Sequence, residues 1–414
     1  MFKKFSVIAL LLGFSSLVVA NISEPAAQKK VILVIHDTSF GKGFLEMYQA
    51  LKSKGHDVKV LAIPFLEEDN SVIIDIDMSY IEKFDAKDVV YPCGNKAPYK
   101  TCKPLGTEKA DYIILGNPYN TRTACVTNPQ YTLSGLKDLA NKAIYIVYGP
   151  HLFHYKGNSS ADKLKDYVHI AMVDSESTKK LFIDEMKFSP ENVVVSGYQS
   201  YKNVRDKVTT VKKDKSAYKE TILWLPRWRL DFKNRDEYEG GSTFLSYYHF
   251  ICNYAEQNPD IRFIIRPHGG LFPVGKRDLF LSEKDVDAMF ARFNSLKNVV
   301  YSQHVESPIE DDVVAADIII SDGTSGLGEV VVADKPIIYL SNGWNNEFNS
   351  NDLAKEFKNY IYMAYGPKEV VEHIETIRKE KYAAFNGSNR AEFKKKLDSV
   401  ENPAEFIADY IASH

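Results

Sequence analysis

The chain lacks a dominant charge. Its 414 residues carry 52 Lys and Arg against 55 Asp and Glu, for a net charge of −3. Without a basic surplus it has no extended face to neutralise a phosphate backbone, which excludes a general nucleic-acid binder. A small basic pocket for one phosphate stays open. Cysteine is scarce, at four residues. No histidine pair lies at ligand spacing near those cysteines, which argues against a zinc site. No segment repeats at a solenoid period and none is of low complexity. The loop Asp322 to Gly326 combines glycines with hydroxyls, but it lacks the spaced glycines of a dinucleotide fold and the Gly-Lys-Ser/Thr of a P-loop.

Phe5 to Ala20 is apolar, shorter than the about 20 residues a relaxed membrane span needs. Lys3 and Lys4 precede it, and Val18 and Ala20 are small residues at a cleavage point. Residues 1–20 therefore read as a signal peptide or, uncleaved, a signal anchor. The expectation is a membrane-associated chain, with export to the periplasm or cell exterior as the alternative. Lysine pairs flank the run on both sides (Lys3-Lys4 and Lys29-Lys30), so the positive-inside rule does not choose an orientation. Cys93 and Cys102 lie in Y-P-C-G-N-K-A-P-Y-K-T-C-K-P, where an exported chain could close a short disulfide loop. Cys252 sits in an apolar helical segment and reads as core.

What is present is a repeated grammar. Val31 to Ile35 is a continuous apolar, β-branched run, the pattern of a strand buried on both faces. A polar turn, a helical spacing over Phe44 to Lys54 and a second strand over His56 to Ile63 follow. Further strands are expected at Ala110–Leu115, Ala143–Tyr148, Val168–Val173 and Val193–Ser196, with a helix at Leu136–Asn141. Ser175 or Ser177 would cap a helix over Thr178–Met186. The grammar restarts at Thr221–Pro226 and continues through Ile261–Arg266, Val299–Tyr301, Asp317–Ile320 and Ile337–Leu340. The expected fold is α/β, with two Rossmann-like domains facing across a cleft. The expected boundaries are 30–200 for the first domain, 201–219 for a lysine-rich linker with a short helix, 220–385 for the second domain and 386–414 for a C-terminal helix.

Ligands of such sheets lie beyond the carboxyl ends of the strands, so the loops there carry the candidate chemistry. Asp322-Gly323-Thr324-Ser325-Gly326 can offer hydroxyls and helix-start N–H groups to phosphate oxygens. Asp322 would orient that loop, and Glu329 could accept a ribose or sugar hydroxyl. The competing reading is a capped βα loop, with Thr324 or Ser325 as N-cap. Arg266-Pro267-His268-Gly269-Gly270 suits a diphosphate, since arginine gives a fork of donors and histidine a donor or proton carrier. In Tyr148 to Tyr155, His151 or His154 could be a general base for an acceptor hydroxyl. Arg227 and Arg229 could steer an anion, although Arg229 could instead pair with Asp231 or Glu237. In His36 to Gly43, Lys42 is a possible anion contact, against capping by Thr38 or Ser39.

Taken together, I-L-W-L-P-R-W-R, I-I-R-P-H and I-I-S-D-G-T-S-G-L-G-E with K-P-I-I-Y-L resemble the CDP-glycerol glycerophosphotransferases of the teichoic-acid type. The resemblance covers about Thr221 to Leu340; the first half matches only in outline, through Y-G-P-H and V-D-S-E-S. It implies a glycosyltransferase-B fold, a CDP-activated donor, a membrane-linked polyol-phosphate or glycan acceptor at the membrane surface, no cofactor and no tightly held metal. It implies that His268 contacts the donor phosphates, that Thr324 and Ser325 are the phosphate-binding hydroxyl pair with Asp322 as the loop aspartate, and that His151 is the first-domain base; Arg266, Asp322 and Gly326 complete the candidate donor-phosphate residues. The usual Trp-His-Gly-Thr context is absent around His151, and Gly323 and Gly326 stand where the family often has bulkier residues. Two alternatives are a UDP-N-acetylglucosamine 2-epimerase-like enzyme, which shares the fold, and an exported two-lobed binding protein. Nucleotide-activated donors are cytosolic, so a cleaved signal peptide would separate the chain from them.

Overall fold

The apolar, β-branched runs build two parallel sheets. In the computed structural model the described residues are 27–35, 41–66, 72–99, 102–106, 108–118, 129–152, 163–211, 217–230, 241–303, 308–341, 343, 348 and 352–414. The N-terminal segment 1–20, Thr38, Ser39, Cys125, His154, Asp231 and Glu237 lie outside them. Among the described residues no helix is long and apolar enough to cross a membrane.

The first half contributes β1 (Lys30–Ile35), β2 (Asp57–Ala62), β3 (Phe65–Leu66), β4 (Val72–Ile74), β5 (Val89–Val90), β6 (Ala110–Leu115), β7 (Ala140–Ile146), β8 (Ile170–Val173) and β9 (Val193–Val195). β3 and β4 form a small antiparallel pair. The others form a seven-stranded sheet in the order β5-β2-β1-β6-β7-β8-β9. The second half contributes β10 (Glu220–Leu225), β11 (Ile261–Ile265), β12 (Val299–Tyr301), β13 (Ile318–Ser321), β14 (Ile337–Leu340) and β15 (Tyr362–Ala364). Their order is β12-β11-β10-β13-β14-β15. Strand pairing within both large sheets is parallel throughout. Each order reverses once, between β1 and β6 and between β10 and β13. Loops leaving the strands on either side of such a reversal turn opposite ways and open a crevice.

Alternation along the second sheet feeds two layers. Ile222 and Trp224 of β10 pack on one face, Leu223 and Leu225 on the other. The layer holding Leu223 also takes in Leu152, Tyr198, Tyr201 and Val204 from the first half of the chain. Tyr201 and Val204 belong to a helix over Gln199–Thr210. Residues 201–219 therefore begin with packed helix, anchored by these apolar residues, and the polar sequence describes only its outer face. The 386–414 segment forms two helices, Gly387–Leu397 and Pro403–Ser413. The first packs Phe393 and Leu397 into the second-half core. The second returns to the first-half core through Ala404, Ile407, Ala408 and Ile411.

Local differences from the sequence reading have physical causes. Leu136–Asn141 was expected to be helical, but the helix is Leu133–Lys137, capped by Thr132, and Ala140 already belongs to β7. Ser175, not Ser177, caps the next helix, which runs Glu176–Asp184. The helix Leu271–Arg277 contains Pro273 and Gly275 and so reads as a turn. Gly275 lets the helix pack closely, since a Cβ on it would lie 2.9 Å from Leu230 Cδ1. Cys93 and Cys102 are joined by a disulfide, and Cys252 is a buried free thiol.

Candidate active site

The loops after β10, β11 and β13 converge. The Asp322 carboxylate, which is buried, ties two of them together. Its Oδ1 accepts the Arg227 backbone N–H at 2.7 Å. Its Oδ2 accepts from Ser242 Oγ at 3.0 Å, Thr243 N at 2.6 Å and Thr243 Oγ1 at 2.9 Å. Burial pushes the Asp322 pKa up, while these donors and the Arg227 charge pull it back. Asp322 thus orients its loop. It does not present its carboxylate to a phosphate, as its place among the candidate donor-phosphate residues had implied.

Thr324 and Ser325 are half-buried. The following helix, Leu327–Val332, has Gly326 as N-cap and no side-chain capping bond. Thr324 Oγ1 makes only a long contact with Gly326 N, 3.4 Å. The two hydroxyls are therefore not spent on capping, which was the competing reading. Gly323 has φ of 100°, a left-handed conformation that disfavours any larger residue. A Cβ on Gly326 would collide with Ile309 Cδ1. Both glycines thus have backbone or packing reasons for being there.

His268 hangs from the loop after β11. Its backbone N–H donates to Pro226 O at 2.9 Å, and its Nδ1 accepts the Gly270 N–H at 3.1 Å. In the neutral ring the proton therefore sits on Nε2. The residue is exposed to solvent, although protein atoms crowd its ring on the side of the loop. That crowding, followed by the positive charges of Arg227 and Lys42, pushes its pKa down to about 4. A neutral histidine between two cations is suited to receive an anion.

Arg266 was expected beside His268 at the same phosphate. The structure gives its guanidinium another task. Buried beneath the loop, it donates through Nη1 to Asp312 Oδ2 at 2.7 Å and to Ser302 Oγ at 3.0 Å. It thereby fixes the helix Ile309–Ala315 to the sheet. Arg227 is buried and Arg229 half-buried, and both stand where the chain leaves β10.

The first domain supplies the opposite wall. Gly149, Pro150 and His151 follow β7. A Cβ on Gly149 would lie 2.8 Å from Ser325 Cβ, so these two loops touch across the cleft. Pro150 and Tyr201 likewise close on Gly328, whose Cβ would lie 2.9 Å from Pro150 Cγ. His151 is buried, edge-on to Phe182 at 5.4 Å between ring centroids. Burial alone pushes its pKa down to about 4.

Glu329 was expected to face a ribose hydroxyl. Instead it is fully buried. Its Oε1 accepts from Lys42 Nζ at 2.8 Å and from Ser200 Oγ at 2.9 Å. Ser200 and Glu310, which bond to each other, were not singled out in the sequence. Nothing in their local pattern marks them, because their partners are more than a hundred residues away.

No family model matches the sequence, and no curated protein matches it by sequence. Solved structures do match the fold. The wall teichoic acid polymerase TagF, in a structure soaked with CDPG, superposes with a TM-score of 0.57 at 12% identity, over 95% of this chain and 90% of that one. A UDP-GlcNAc 2-epimerase from Methanocaldococcus jannaschii superposes with a TM-score of 0.53 at 13% identity, over 94% of this chain and 100% of that one. A putative UDP-N-acetylglucosamine 2-epimerase from Listeria monocytogenes gives 0.51 at 10% identity, over 93% and 95%. With two parallel Rossmann-like sheets whose strand ends meet across a cleft, the chain has a glycosyltransferase-B-type fold.

Proposed function

We propose that the protein is a transferase that moves glycerol phosphate, or a related polyol phosphate or sugar, from a CDP-activated donor to a membrane-linked acceptor in cell-envelope polymer synthesis. One observation carries this reading. His268, Arg227, Thr324 and Ser325 lie on loops at the strand ends of the second sheet, and Lys42 from the first domain pairs with Glu329 behind Ser325 and acts on His268 electrostatically. We read them as an anion site across the cleft from the first-domain loop that carries His151, whose Gly149 meets Ser325. The fold likeness to a polymerase soaked with CDPG supports the choice of donor.

In the proposed reaction an acceptor hydroxyl oxygen attacks the glycerol-bearing phosphorus. The new O–P bond forms as the bridging P–O bond of the diphosphate breaks, and CMP leaves with the electron pair. The acceptor proton passes to neutral His151. His268 and the Thr324 and Ser325 hydroxyls stabilise charge on the departing phosphate, a role that positioned donors perform well in an enclosed site.

Purified protein titrated with CDP-glycerol, CDP-ribitol and UDP-N-acetylglucosamine tests the donor. Stabilisation by the CDP compounds, and acceptor-dependent release of CMP, is the expected result. Turnover of UDP-N-acetylglucosamine without acceptor would instead establish the epimerase reading, which is favoured by the superposition along the whole length of the Methanocaldococcus enzyme. The Cys93–Cys102 disulfide supports an oxidising compartment. With the apolar N-terminus it supports a reading in which the protein sits at the membrane on the exported side, where its donor would have to be delivered. Thiol trapping of the two cysteines in fractionated cells tests this placement; reduced thiols on a cytosolic domain would overturn it.

A further inference from the structure

A lysine ammonium and a serine hydroxyl converge on one buried carboxylate where the domains meet. Ser200 opens the helix that joins the two halves, and its hydroxyl contacts both Glu329 and Glu310. Lys42 comes from the loop after β1 and is paired with Glu329 at 2.8 Å, across 287 residues of sequence. Glu329 has no accessible surface, and its second oxygen, Oε2, has no hydrogen-bond partner among the described residues. A buried acceptor without a donor is costly, and a ligand hydroxyl is one group that would satisfy it.

Lys42 stands between two sites. Its ammonium pairs with Glu329 and its charge also acts on His268. Glu329 stands in the first turn of the helix that Thr324 and Ser325 lead into, so the lysine paired with it lies beside that wall. Lysine carries its charge on a flexible four-carbon stem, so it can change partners without backbone movement. A diphosphate at that wall would compete with Glu329 for it. A hydroxyl approaching Glu329, by contrast, finds the carboxylate covered by Lys42 and Ser200.

We propose that Lys42 is a positioning residue that exchanges partners across the cleft, leaving Glu329 for the phosphates of a nucleoside diphosphate and so freeing Glu329 to accept a ribose hydroxyl. The proposal rests on the nucleotide-donor reading and deepens it. Phosphate recognition then uncovers sugar recognition. A ligand without phosphates must break the Lys42–Glu329 pair unaided.

The test is calorimetric or NMR titration of the full chain with CDP, cytidine and inorganic pyrophosphate. Lys42→Met should weaken CDP binding about ten- to a hundredfold, the range expected for a lost charge-assisted bond. It should strengthen cytidine binding, because Glu329 is no longer covered. Lys42→Arg should largely restore CDP binding. Glu329→Gln should tighten pyrophosphate binding, because Lys42 is released to it, and this arm holds even if Lys42→Met fails to fold. A purely structural lysine would change CDP and cytidine binding in the same direction. That result, unchanged CDP binding in Lys42→Met, or unchanged or weaker pyrophosphate binding in Glu329→Gln overturns the exchange and leaves the donor reading standing. Wild-type protein that binds neither CDP nor UDP overturns the donor reading, and the exchange with it.

Discussion

His151 and His268 stand on opposite walls of the cleft with the same depressed pKa, about 4, and for different reasons. His151 is low because it is buried against Phe182. His268 is exposed to solvent, and its pKa is lowered by partial desolvation of the ring together with the charges of Arg227 and Lys42. The first cause is built into packing, whereas part of the second is reversible, because an anion between His268 and its cations would cancel their repulsion. Packing therefore keeps His151 neutral, whereas the state of His268 responds to the charge around it.

The contrast can be broken most sharply at His268. His268→Ala should lower transfer by about 10²–10⁴-fold while circular dichroism stays unchanged, the usual range for losing a positioned donor or acid. Full activity in that variant would sink the assignment. At His151 the larger effect should be on acid stability. Its folded pKa lies below the unfolded value of about 6.5, so its contribution is intact above that pH and lost as pH falls toward about 4. The loss is at most about 3 kcal/mol, and His151→Gln should remove it. Urea midpoints at pH 7 and pH 4 measure this; equal acid sensitivity in both proteins would refute it. A third comparison uses NMR titration of both rings with and without CDP. The His268 pKa should rise with ligand, since a bound anion favours imidazolium, and the His151 pKa should stay in place. The smallest expected effect is at the contact between the walls. Gly328→Ala would press a methyl group against Tyr201 and Pro150 and should destabilise the protein by about 1–3 kcal/mol, read by thermal melting.

Much of the fold was legible because strands buried on both faces must be apolar and β-branched whatever surrounds them. Val31 to Ile35, Ile261 to Ile265 and Ile337 to Leu340 announce themselves in that way. Short or mixed elements did not. β15 is three residues, Tyr362–Ala364, and the β3–β4 pair is shorter still on one side. The Gln199–Thr210 helix was read as part of a polar linker, because only one of its faces is buried, against a domain that begins twenty residues later. Within the candidate site, residue type pointed to Thr324, Ser325, His268 and Asp322. It gave no sign that Arg266 would be bound to Asp312 or Glu329 to Lys42.

The sequence alone determined that this chain makes two parallel α/β sheets with chemistry at the loops after their strands, because burial and periodicity are properties of neighbouring residues. Only the tertiary structure decided which charges meet. Asp322 braces its loop as its position suggested, but Arg266 was turned into an anchor and Glu329 into the buried partner of a lysine from the other domain. Those pairings depend on the distance between strand ends and on how the domains close, and a carboxylate or guanidinium takes whichever partner the fold brings within about 3 Å.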